Sequence, residues 1–177
     1  MILPLDFRNY KITPIEILFE ENQREFEWTA ITDKIAGGLS KADLIQHEEY
    51  LEMSGHIKKS GILRWAALRS KRKIQDLSNY NFIEIRLRTD GQPFEFQMEY
   101  KEGWQDEKLS VTIDLVKDHW TTWHVDMDDL KLFNMQEGYM TRRPKDEFKE
   151  TILRYNFLHL RDESSDFKLD IEYIKFH

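Results

Sequence analysis

The run Asp126-Met127-Asp128-Asp129, close behind Trp123, places three carboxylates within one turn of chain. Clustered carboxylate oxygens of this kind can hold calcium. The spacing is not that of a calcium-binding loop of the EF-hand type, however, and the more economical expectation is a solvated turn capping a short helical segment at Leu130–Phe133. Glu95, Glu99 and Asp114 fall on the polar positions of strand-like segments. A glycosidase needs two carboxyl groups at a set separation across a cleft, and nothing in the order of residues selects such a pair. The six histidines, His47, His56, His119, His124, His159 and His177, form neither H-E-x-x-H nor an alternating strand pair. Ser54-Gly55 and Ser60-Gly61 are not part of a G-x-S-x-G elbow. No G-x-G-x-x-G or Walker loop is present to cradle a phosphate. With no cysteine, the chain has no disulfide, no thiol nucleophile and no cysteine-based zinc site. The expectation is a protein without catalytic residues, cofactor or resident metal.

Residues suited to contact are easier to find. Trp104 sits in the polar stretch K-E-G-W-Q-D-E. There it serves either as an exposed anchor for a partner or as a cover folded back on the protein. Two basic runs break an acidic background of net charge −7: R-S-K-R-K at residues 69–73, and M-T-R-R-P-K at residues 140–145, which carries Arg142 and Arg143. Either run could meet an acidic protein patch, a lipid head group or a phosphate, or be a solvated loop. The net charge argues against general nucleic-acid binding, which needs a basic face. No segment approaches the roughly 20 apolar residues that cross a bilayer, so membrane contact would be peripheral. The first residues lack the pattern of a signal or transit peptide. The lack of cysteine fits a reducing compartment, cytoplasm or mitochondrial matrix.

The elements that must position these residues read as strands. Ile83, Ile85 and Leu87 alternate with charged residues, and the Asp90-Gly91 turn leads into Phe94, Phe96, Met98 and Tyr100. The same period of two runs through Leu109–Leu115, Trp123–Met127 and Phe167–Tyr173, after which Ile174 and Phe176 take the opposite phase. That slip predicts a bulge or a strand changing sheets. Further strands are expected at Ile15–Phe19, Phe26–Thr32, Tyr50–Ile57 and Ile62–Leu68. Ile152–Leu160, apolar on both faces, is expected in a central position. Trp28, Trp65 and Trp123 fall within strands and are expected to fill the core. Short helical turns are expected at Asp128–Phe133 and Asp146–Thr151. The architecture is therefore all-β: a sandwich or jelly roll of about nine or more antiparallel strands. It spans residues 15–177, behind an N-terminal extension at 1–14.

Several blocks occur in a recognisable order: Trp28, Asp33, Gly37, Gly38 and Ser40; then Gly55, Gly61, Ala66 and Arg69; then Asp76, Leu77, Ser78, Tyr80, Asp90 and Gly91; then Trp120–Leu130 with Trp123; and finally Gly138, Arg142 and the closing strand from Asp166. In this order the chain resembles the complex I intermediate-associated protein family, assembly factors of mitochondrial NADH:ubiquinone oxidoreductase. The resemblance implies a galactose-binding-like jelly roll and structural roles for the motif residues. It also implies protein partners, respiratory complex I subunits or other assembly factors, in the mitochondrial matrix, with the cytoplasm as the alternative. The expected function is a non-enzymatic module that holds a subassembly, with Trp104, Arg142 and Arg143 as candidate partner contacts. Carbohydrate binding is the alternative that the galactose-binding-like fold implies, and a hydrolase is a third possibility.

Overall fold

The computed structural model describes residues 12–22, 26–60, 62 and 64–177. Its thirteen strands, numbered in chain order, form two antiparallel sheets. The six-stranded sheet runs β3 (Lys41–Gln46), β4 (Leu51–Ile57), β13 (Ser165–Phe176), β6 (Phe82–Thr89) and β9 (Thr121–Asp126), with β1 (Ile15–Leu18) also paired to β13. The seven-stranded sheet runs β11 (Gly138–Tyr139), β10 (Lys131–Asn134), β8 (Lys108–Ile113), β7 (Phe94–Glu99), β12 (Arg154–Leu160), β5 (Trp65–Ser70) and β2 (Trp28–Thr32).

Period-two alternation builds the interior. Ile83, Ile85 and Leu87 of β6 face Phe94, Phe96 and Met98 of β7, and none of the six is more than 1% exposed. Large rings fill the space between sheets: Trp28 lies 4.8 Å from Phe19, and Phe96 lies 5.2 Å from Phe157. Rings of this size supply much of the apolar area that drives two sheets together. The expected phase slip is found. Pairing of β13 with β6 shifts between Ile171 and Tyr173, so the extra residue returns Ile174 and Phe176 to the interior, both fully buried. Central placement of the 152–160 segment also holds, since β12 pairs with both β5 and β7.

Three details differ from the sequence reading. The helical turn expected over Asp128–Phe133 is a 3-10 turn confined to Met127–Asp129, and Lys131–Asn134 is strand β10. Strand β3 was not expected, because its outward positions include Ile45 and its inward ones Ala42, which blurs the alternation. Trp65 is buried, but not between the sheets; it belongs to a separate cluster on the opposite side of its own sheet. The other short turns are 3-10 segments at Asp33–Ala36 and Asp146–Glu150. No helix among the described residues is long and apolar enough to cross a membrane. The extension expected at 1–14 falls mostly outside the described residues, as does Gly61.

Candidate functional site

The D-x3-G-G-x-S segment forms a lock between the sheets. Asp33, fully buried, accepts hydrogen bonds from Ser40 N at 2.9 Å, Ser40 Oγ at 2.7 Å and Trp65 N at 3.3 Å. Ser40 Oγ in turn accepts from Lys58 N at 3.1 Å. One carboxylate thereby joins the ends of β2 and β5 to the β3–β4 hairpin of the other sheet. Gly37 ends the 3-10 turn at φ 90°, a left-handed conformation that favours glycine. Gly38 lets the carboxylate in: a Cβ there would stand 2.2 Å from Asp33 Cγ. Asp90 and Gly91 make the β6–β7 turn, where Asp90 Oδ1 accepts from Gln92 N at 3.2 Å. Trp123 is half-buried against the main core.

The outer face of the seven-stranded sheet is filled rather than bare. On β5, Trp65, Ala67 and Arg69 point away from the sandwich interior. Trp65 and Ala67 pack in one buried cluster with Leu158 of β12 and Phe133 of β10. Phe133 stands three strands from β12, and in a flat sheet that separation is about 14 Å between backbones. The sheet must therefore curl toward this face. Tyr139 extends the row, its ring 5.2 Å from Phe133. Its hydroxyl bonds to Glu95, which also accepts from Ser110 and Thr112. Burial first, then Glu95, push the Tyr139 phenol up to about 12.

Beside this cluster lies a buried ion pair. Arg69 Nη2 donates to both oxygens of Glu99, at 3.0 and 2.9 Å, and Asn156 donates to the same carboxylate at 2.9 Å. Arg154 approaches to 3.5 Å. Burial alone would raise the Glu99 pKa; the bonds from Arg69 and Asn156 more than reverse that, and it lies below the usual range. Over these groups folds the loop 100–107. Trp104 packs on Trp65 with ring centres 5.3 Å apart and planes inclined by 38°, the Arg69 guanidinium 5.1 Å and the Lys108 ammonium 5.5 Å from its ring centre. Lys108 Nζ holds the loop by donating to the carbonyls of Trp104 and Asp106, and Asn134 donates to Gln105 O. Trp104 still leaves 38% of its surface exposed.

Two clefts border this face. The first, about 720 Å³, is walled by Trp65, Trp104, Met135 and Leu160, with Arg64 and Arg161 at its rim. The second, about 910 Å³, gathers Asp128, Asp129, Lys131, Tyr139, Arg142 and Arg143. It thus brings two of the three candidate carboxylates, Asp128 and Asp129, beside the candidate arginines, while Asp126 lies outside its lining. Arg142 lies 2.7 Å from Glu107; Lys101 first, then Arg142, hold that carboxyl down at about 2 against its burial. Arg143 is exposed. Asp126 caps the turn it begins, its Oδ1 accepting from Asp128 N at 2.9 Å. Among the described residues no three acidic or histidine groups converge in a way that could hold a metal ion.

The outer face of the six-stranded sheet carries a second network absent from the sequence reading. Arg88 pairs with buried Asp170 at 2.7 Å and lies between Tyr50 and Trp120, 5.8 and 4.8 Å from the ring centres. Strand parity on β6 and β13 is the signal that points to Arg88 and Asp170; Tyr50 and Trp120 come from turns whose positions parity does not set.

The family model described as Complex I intermediate-associated protein 30 (CIA30) matches residues 17–171. No curated protein matches the sequence. Among solved structures, the fold is similar to the family 11 carbohydrate-binding module from Clostridium thermocellum in complex with a β-1,3-1,4-mixed-linked tetrasaccharide, at 13% identity and TM-score 0.62, covering 91% of this chain and 94% of that one. It is also similar to the family 11 module of the cellulosomal cellulase Lic26A-Cel5E of the same organism, at 12% identity and TM-score 0.64, covering 91% and 93%. An agarase structure shares the fold at 8% identity and TM-score 0.60, covering 92% of this chain and 24% of that chain. These likenesses establish the jelly-roll fold.

Proposed function

This chain belongs to the Complex I intermediate-associated protein 30 family, and from that premise we propose that it is a non-catalytic protein-binding module that holds a subassembly of respiratory complex I. The observation that carries the choice of protein over sugar is the filled outer face. Phe133, Trp65 and Leu158 occupy the curl of the seven-stranded sheet, with Trp104 packed against Trp65. A sugar chain laid along that sheet would have to displace packed aromatic side chains. Partner contact falls instead to the borders of the face: Trp104, Arg142 and Arg143. In this reading the protein works in the mitochondrial matrix. Its rigidity comes from the two sheets and the Asp33 lock, so binding costs little ordering of the scaffold. The test is capture by the tagged full chain from the organism that makes it, probed for complex I membrane-arm subunits. Enrichment of those subunits over a tag-only control is expected; their absence under mild extraction would sink the reading.

A second reading, carbohydrate binding in the cytoplasm or elsewhere, is favoured by one feature. Partly exposed Trp104 stands beside Gln105 and Gln136 at the smaller cleft, and aromatic rings with neighbouring amides suit sugar rings and hydroxyls. Saturable signals on a glycan array would favour it over the first.

A further inference from the structure

The cleft beside Trp65 and Trp104 has the composition of a binding hot spot. Met135, 37% exposed, and Trp104, 38% exposed, form its open apolar wall, while Trp65 and Leu160 form its floor. Tryptophan, methionine and arginine are the residue types enriched at the centre of protein interfaces. The floor is rigid, because Trp65 is fixed in the Phe133 cluster and its backbone N–H is held by Asp33. Little ordering would be required on binding.

Charge selects the occupant. Arg64 and Arg161 both stand at the rim. Arg64 donates to Asp162 O at 2.9 Å and lies 3.6 Å from the fully exposed Asp162 carboxylate. Arg161 Nε is buried with no hydrogen-bond partner among the described residues. The rim therefore has two guanidinium groups against one carboxylate, in a protein whose net charge is −7. A basic segment would be attracted almost anywhere on such a surface, but a locally acidic one is favoured at a cationic rim of this kind. We propose that the Trp65–Trp104 cleft binds a short partner segment that presents an aromatic side chain flanked by acidic residues. The ring enters against Trp104 and Met135, and the flanking carboxylates meet Arg64 and Arg161. The proposal rests on the protein-binding reading and gives it a site.

The experiment titrates the full chain with a fluorescent pentapeptide, Glu-Asp-Trp-Asp-Glu, and follows anisotropy together with backbone and indole N–H shifts. Control peptides replace the tryptophan by alanine or the acids by lysine. Expected are saturable binding of the first peptide with shifts at Trp104, Met135 and Arg161, and at least fivefold weaker binding of both controls. Met135→Glu, at an exposed position, and Arg161→Glu should each weaken binding about tenfold. Should Arg161→Glu lower the thermal midpoint, Met135→Glu, at a position 37% exposed, carries the test. Absence of saturation, shifts outside the cleft, or equal binding of the lysine peptide overturns the proposal. So does a cello-oligosaccharide that binds the same residues more tightly than the peptide. The two readings fail separately. Undiminished capture of complex I subunits by Met135→Glu removes the cleft and leaves the holding function, whereas peptide binding at the cleft without such capture removes the complex I partner and keeps the site.

Discussion

Gly38 and Asp33 share a space that admits only one of two things: the Asp33 carboxylate or a side chain on Gly38. The carboxylate occupies it and bonds three donors from two other segments. Loss of buried acceptors of this kind costs about 1–3 kcal/mol for each donor left unsatisfied. Asp33→Ala should therefore destabilise by about 3 kcal/mol or more, a fall of roughly 6–12 °C in the thermal midpoint. Gly38→Ala should destabilise by acting on the same carboxylate, so the double variant should be no less stable than Asp33→Ala alone. Additive losses by circular dichroism melting would show that the two residues act apart.

Arg69 and Glu99 give a second stability test. Glu99 leaves 3% of its side chain exposed and Arg69 23%, so removing one partner strands a desolvated charge. Arg69→Ala should cost about 3 kcal/mol or more. Replacing both, Arg69→Met with Glu99→Leu, should cost less than the sum of the two single replacements, even though Asn156 and Arg154 also lose their acceptor. Urea unfolding of the cycle measures this, and additive losses would refute the pairing.

Stability should depend on pH through His159. The residue is fully buried between Phe94 and Phe167, its Nδ1 at 3.0 Å from Pro93 O and its Nε2 without a hydrogen-bond partner among the described residues. Burial lowers its pKa, against the opposing bond to Pro93. The unfolded chain takes up a proton near pH ~6.5 that the folded protein refuses. The contribution of His159 is thus complete above that pH and is lost as pH falls from there through the folded value. His159→Phe should flatten the decline in unfolding free energy between about pH 7 and 5.5. The slope is the readout, since the Pro93 carbonyl loses its donor and the absolute midpoint moves as well. An unchanged slope would assign the pH dependence to other groups.

The candidate contacts separate by their effect on stability. Arg143→Glu should reduce capture of complex I subunits severalfold with a midpoint within about 1 °C of wild type, as expected for an exposed side chain. Trp104→Ala should reduce capture as well, and cost about 1 kcal/mol for the lost ring contact with Trp65. A much larger fall in the Trp104→Ala midpoint would make the residue a structural cover.

Where residues alternate in strong contrast, as on β6, β7 and β13, the sequence carried the strands, and even the slip beside Glu172 marked the bulge. Where contrast is weak the pattern is silent. Strand β3 escapes it because Ala42 and Ile45 invert the usual burial. Lys131–Asn134 merges with the capped turn before it because four residues hold too little pattern. A buried tryptophan is expected in the core, but the parity of Trp65 with Ala67 and Arg69, opposite to Ala66 and Leu68, points to the other face. Parity could not reveal that the sheet curls far enough to bring Phe133 against that cluster. Nor could spacing show that Asp33 reaches Trp65 N across thirty-odd residues. Such contacts are set by how strands from distant parts of the chain come together.

Strand β13 carries a consequence of another kind. It follows β1, β4 and β6 in the sequence, yet all three pair with it, Ile17 opposite Ile174 among them. During synthesis the earlier strands of that sheet leave the ribosome before their central neighbour exists. The edges of β1, β4 and β6 that pair with it stay open until it emerges. Pairing across such sequence distances is slow, on the order of milliseconds to seconds, and exposed edges invite association in the interval. A protein proposed to shelter unfinished assemblies therefore passes through an unfinished state of its own, which closes only when β13 takes its central place.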